Sequence, residues 1–150
     1  MTREIKFRGK NRKGEWLVGE IISLNNHKYI APEDGDWFDF IPWDPNNVFH
    51  APDSYEYEVD QETIGQFTGL QDKKGKEIYE GDIVKTLVSP LNATKNKRYR
   101  NFAIRYNAPQ FWNGYDTILM RPQHMEIIGN IHDNPELLNK YERLWKNKNV

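Results

Sequence analysis

The chain is 150 residues long, 37% apolar and 29% charged, with 21 basic and 22 acidic side chains and a net charge of −1. That length suits one compact domain, whose core is supplied by seven Phe, five Trp and eight Tyr, because each aromatic ring buries a large apolar area. The balanced charge excludes a global attraction to nucleic acid or anionic membrane, and the absence of cysteine excludes disulfides, thiolate metal sites and a cysteine nucleophile.

Met1-Thr2-Arg3-Glu4-Ile5-Lys6 is charged and leads into no apolar stretch, so a signal peptide is not expected. No window approaches the ~20 apolar residues of a membrane span. The expected location is the cytoplasm of a bacterial cell, with no membrane contact. Glu4 to Arg8 alternates charged and apolar residues, the period of a half-buried strand. Residues 9–14, with a glycine at each end, read as a turn, and Glu15 to Leu24 as the returning strand of a β-hairpin.

Residues 31–62 differ in kind. They hold ten Asp or Glu, no Lys or Arg, and prolines at 32, 42, 45 and 52, which forbid a long helix and disfavour a central strand. Trp37, Phe38, Phe40, Trp43, Phe49, Tyr55 and Tyr57 are too many aromatics for free disorder. An irregular excursion pinned by its own rings is expected, packed on this chain or a sister subunit.

From Thr63 the pattern tightens. Asp72-Lys73-Lys74-Gly75 and Glu80-Gly81-Asp82 read as turns, and Asp82 to Val88 as the clearest strand. Residues 89–98 form a polar loop, and further strands are expected at 101–107, 115–121 and 125–131. Asn134 as N-cap, Pro135 at the first helical position and Glu136 beside the positive end of the dipole predict a helix over 134–147. Leu137, Leu138, Tyr141, Leu144 and Trp145 would form its apolar stripe. The expected fold is mostly β (α+β): a small β-barrel or curved antiparallel sheet with an aromatic-rich excursion and a C-terminal helix. One domain spans 1–150, comprising hairpin and excursion (1–62), β core (63–132) and helix.

Three stretches carry a family resemblance: Ile5-Lys6-Phe7-Arg8-Gly9, the run from Gly65 to Val84 (GQFTGLQDKKGKEIYEGDIV), and Glu126 to Leu138 (EIIGNIHDNPELL). In that order they resemble the YopX family of phage and prophage proteins, over roughly residues 4–138. The resemblance implies a small, largely β protein of phages and integrated prophages, and it brings no established activity or catalytic residue. An SH3-like barrel over 80–131 is an analogy from Gly81-Asp82 entering a strand.

The motif acids Asp72 and Asp82 read as turn residues that bond nearby backbone N–H groups; the alternative lets Asp72, Glu80 and Asp82 line a site. His27, His50, His124 and His132 are scattered singly, without metal-binding spacing. The His132-Asp133 pair near Glu136 reads as capping, and Asp34, Asp36 and Asp39 as a solvated acidic loop lacking the order of a calcium loop. Neither a nucleophile elbow nor a phosphate loop is present. No cofactor or metal is expected, and no catalytic residue is assigned.

One segment stands out by charge. Residues 85–105 hold Lys85, Lys95, Lys97, Arg98, Arg100 and Arg105 without an acid, interleaved with Tyr99, Phe102 and Tyr106. Cations neutralise phosphates and rings stack on bases, so this composition suits a nucleic-acid groove that Lys10, Arg12 and Lys13 would extend. A solvated loop, or one neutralised by the acidic excursion, has the same composition. The leading expectation is a non-catalytic binding or interaction module, a homo-oligomer with a phage or host protein partner. The alternatives are a nucleic-acid accessory or regulator acting through Lys95, Lys97, Arg98, Tyr99 and Arg100, and an enzyme with a carboxylate-based site.

Overall fold

The computed structural model describes residues 4–24, 26–32, 54–87, 95, 98–107, 110–112 and 121–139. The chain divides into two compact units, Met1–Phe67 and Thr68–Val150.

In the first unit, β1 (Phe7–Lys10) and β2 (Trp16–Leu24) form the expected hairpin, paired from Phe7↔Gly19 to Lys10↔Trp16. Asn11 builds the turn, its Oδ1 accepting from Lys13 N at 3.0 Å and Glu15 N at 2.9 Å. Gly9 lies inside β1 and not in the turn. A Cβ there would stand 3.0 Å from Val59 Cβ, so this glycine serves close packing. The chain returns along β2 as β3 (His27–Pro32), a strand the sequence pattern did not single out, and β1 pairs on its other side with the start of β4 (Gly65–Gln71).

The prolines and acids after β3 fall mostly in 33–53, which lie outside the described residues, as do Trp37, Phe38, Phe40, Trp43 and Phe49. A single helical turn, α1 (Ser54–Tyr57), precedes a 3-10 turn at Gln61–Thr63. Asp60 caps that turn by accepting from Glu62 N at 3.0 Å. Ile30, Ala31, Val59 and Phe67 are buried in this unit.

The second unit continues β4 and pairs it with β5 (Glu77–Tyr79). Its centre is an antiparallel sheet ordered β10-β6-β7, from β6 (Asp82–Leu87), β7 (Tyr99–Ala103) and β10 (Met125–Asn130). A short ribbon, β8 (Arg105–Asn107) with β9 (Gln110–Trp112), stands separately. Both faces of the central sheet are covered. Val84 and Phe102 join Ile78, Ile104 and Met125 on one side, while Ile83 and Ala103 join Leu138 on the other. Burial on both sides is why Ile83-Val84 reads as consecutive apolar residues.

Two expectations need correction. Among the described residues the sheets are open, and no barrel closes. The C-terminal helix does not start at Asn134: Pro135–Leu137 is one 3-10 turn, and Leu138 is extended at φ −87 and ψ 145. Asn134 makes no side-chain cap bond; its Oδ1 instead accepts from Asn130 N at 3.3 Å. A short turn forms one bond for several fixed dihedrals, so burying Leu138 against Ile83 and Ala103 outweighs helix propagation here. The remaining stripe residues and residues 115–120 of the strand expected at 115–121 lie outside the described residues.

Candidate nucleic-acid interface

The motif acids are occupied by the backbone. Asp72, 6% exposed, accepts at Oδ1 from Lys74 N (2.8 Å) and Lys76 N (3.0 Å), and at Oδ2 from Ile127 N (3.0 Å). Burial pushes its carboxyl pKa up, but the Ile127, Lys76 and Lys74 N–H groups outweigh that and hold it below the ordinary value. Asp82 Oδ2 accepts from the buried Tyr79 N at 2.7 Å. Glu80 reaches Tyr106 N only at 3.4 Å. Asn130 Oδ1 accepts from His132 N and Asp133 N, at 3.0 and 2.9 Å, so that corner is a turn built by Asn130. Among the described residues no group of three His, Cys, Asp or Glu could hold a metal ion.

The central sheet carries a different chemistry. Opposed residues of antiparallel strands share a face, and side chains alternate along each strand. Lys85 is opposite Asn101 on one side and Glu126 on the other, and Leu87 is opposite Tyr99. Lys85, Tyr99 and Glu126 therefore share one face. Lys85 Nζ lies 5.4 Å from the Tyr99 ring centroid, within cation–π range, and the ring is 50% exposed.

Glu126 extends this group. Its two carboxylate oxygens pair with Lys73 and with Lys74, the latter at 2.7 Å. Hydrogen bonds from Lys73 and Lys74 hold the Glu126 pKa down to about 2, and the same bond raises that of Lys74. The Asp72 hydrogen bond to Ile127 positions this turn beside β10, because it joins the lysines' own turn to the residue after Glu126. Lys85 thus lies by an exposed tyrosine, and Glu126, opposite Lys85 on β10, gathers Lys73 and Lys74.

The sequence-predicted contacts are divided by the strand. Lys95 is exposed at a bend, Lys97 lies outside the described residues, and Arg98 is exposed just before β7. Tyr99 faces Lys85, whereas Arg100 opposes Thr86 and projects from the other face. Phe102, read as a stacking ring, is 4% exposed and belongs to the core. Tyr106 is 48% exposed. The hairpin cations are engaged within the first unit: Lys10 Nζ lies 5.9 Å from the Trp16 centroid, Arg12 pairs with Glu58 at 2.6 Å, and Lys13 pairs with Glu56. Lys73 and Lys74 were missed because their turn reading used only their neighbours. Strand pairing of Lys85 with Glu126 was the signal that could have found them.

The family described as YopX protein matches residues 6–139. The chain belongs to the YopX family. It is also similar to the crystal structure of protein EF1440 from Enterococcus faecalis, with 24% identity, 92% of this chain and 100% of that chain covered, and a TM-score of 0.49. No curated protein matches the chain. In this YopX protein the three resembling stretches supply β1, the β4–β5–β6 run and β10 with its following turn. Lys73 and Lys74 lie inside the long YopX stretch, whereas Lys85 and Tyr99 lie outside all three.

Proposed function

We propose that this YopX protein is a phage- or prophage-borne binding module without catalysis, a homo-oligomer that engages a phage or host protein in the bacterial cytoplasm. One observation carries the non-catalytic reading. Both oxygens of the buried Asp72 and one oxygen of the buried Asp82 accept main-chain N–H groups, which supports a structural role for these motif acids. The 31–62 segment is rich in aromatic residues, the side-chain type that dominates protein interfaces.

The test is a screen of the full chain for metal-dependent nuclease and phosphatase turnover, beside Asp72→Asn, Asp82→Asn and the half-buried Glu80→Gln. No turnover above background is expected. Metal-dependent turnover in the parent protein that Glu80→Gln abolishes with the fold intact overturns the reading.

A second reading is favoured by Lys85 lying over an exposed Tyr99 ring: a nucleic-acid accessory acting through residues 85–105. A cation and an exposed ring held together on neighbouring strands supply the two contacts that unpaired nucleotides need.

A further inference from the structure

We infer that the sheet face bearing Lys85 and Tyr99 binds single-stranded nucleic acid, with a base stacked on Tyr99 and flanking phosphates held by Lys73, Lys74 and Lys85. This rests on the second reading above and narrows it to one face and one ligand class.

The register places these groups together. Lys85 sits between Glu126 on β10 and the β7 residue Asn101, with Tyr99 on the same face two residues earlier. Lys73 and Lys74 join from the β4–β5 turn through Glu126. Their side chains stay 45% and 65% exposed, so both ammonium groups can be reached from solvent. The local charge is +2, from three lysines and one carboxylate.

The magnitudes favour exchange onto a nucleic acid. An exposed cation–π contact is worth about 0.5–1 kcal/mol. Stacking a base on an aromatic side chain is worth ~1–3 kcal/mol. Lys85 can therefore leave the ring for a phosphate while a base takes its place. Exposed ion pairs contribute at most ~1 kcal/mol, so Glu126 holds its lysines near the face without withholding them.

A paired base hides both its faces in the duplex stack. Only an unpaired one can lie on Tyr99. Arg100 points from the opposite face, so the ligand crosses the sheet towards the β4–β5 turn and does not follow β7.

The test is fluorescence anisotropy of the full chain with a labelled thymidine oligonucleotide, single-stranded or annealed to its complement, across a salt series. Binding to the single strand should exceed that to the duplex and fall with salt. Tyr99→Ala should weaken it about tenfold, and Tyr99→Phe should retain it. Replacing Lys73, Lys74 and Lys85 together by Ala should reduce the slope of log affinity against log salt by about 2. Glu126→Gln should tighten binding by removing a like charge to phosphate. An unchanged far-ultraviolet circular dichroism spectrum confirms each fold.

Loss of binding on replacing Lys95, Arg98 and Arg100, with the Lys73, Lys74 and Lys85 variant unaffected, overturns the assigned face and leaves the nucleic-acid reading standing. No binding of either probe at low salt overturns both. A preference for duplex overturns the single-strand assignment.

Discussion

Asp72 Oδ2 accepts the main-chain N–H of Ile127 at 3.0 Å, so a turn acid between β4 and β5 is tied directly to β10. The same carboxylate organises its own turn through Lys74 N and Lys76 N, and Lys73 N donates to Met125 O at 3.0 Å from the turn's other side. Local turn chemistry and a long-range strand contact are thereby one hydrogen-bonded unit.

Asp72→Ala removes three accepted bonds at once and should cost on the order of 3 kcal/mol, at about 1 kcal/mol for each part-buried bond. Asp72→Asn keeps the shape but presents an NH₂ to one of these donors, and should cost less than Ala. Urea unfolding of both variants measures the difference.

Acid should weaken the second unit in a defined window. Glu126 titrates at about 2 in the folded protein, below the ~4.3 of a free glutamate. Its contribution is complete above the unfolded value and is lost as pH falls through the folded one. Asp72, also depressed, acts in the same direction. The thermal midpoint of Glu126→Gln should therefore lie below that of the parent near pH 6, with the gap narrowing towards pH 2. Because the pairs are exposed, added salt should shrink that gap as well.

Two glycines should respond very differently to alanine. At Gly19 a Cβ would lie 1.8 Å from Ala31 O, a backbone atom of the paired strand, so β2 and β3 cannot keep their register. Gly19→Ala should lose several kcal/mol or fail to fold, beyond the ~1–3 kcal/mol of ordinary overpacking. Gly75 has open space around it but φ +82, so Gly75→Ala should cost only about 1–2 kcal/mol of backbone strain. Circular dichroism melts of the two variants separate the cases.

Leu138→Ala tests the packing at the C-terminal end. The residue is 5% exposed against Ile83 and Ala103, and truncating a core leucine costs about 2–5 kcal/mol. Equilibrium unfolding of this variant measures the loss.

The strands were legible wherever the pattern was local. The run at 82–88 forms β6 over Asp82–Leu87 and the turn at 72–75 forms as expected, whereas the strand expected at 4–8 forms at Phe7–Lys10, because period and turn chemistry fix an element's type over a few residues better than its bounds. His27–Pro32 was missed as a strand because its partner is β2 and its own residues alternate poorly. The helix signal at 134–136 yields only a 3-10 turn: Asn134 makes no side-chain cap bond, and Leu138 is extended and buried against Ile83 and Ala103.

For the candidate site, Tyr99 was legible as an aromatic among cations. The division of Tyr99 from Arg100, the burial of Phe102 and the arrival of Lys73 and Lys74 all depend on strand pairing, which composition does not contain.

The β10–β6 ladder slips by one position between Ile127 and Gly129. Across that slip Ile127 packs with the Val84 cluster, and Ile128, the extra residue, with the Ile83 cluster. Removing Ile128 would restore a regular ladder, with Gly129 still opposite Ile83 and Asn130 still opposite Asp82, and would take one apolar side chain from the Ile83 cluster. Glu126, on the near side of the slip, would keep its lysines. A one-residue deletion would therefore thin the core at one end of the strand while sparing the charged end.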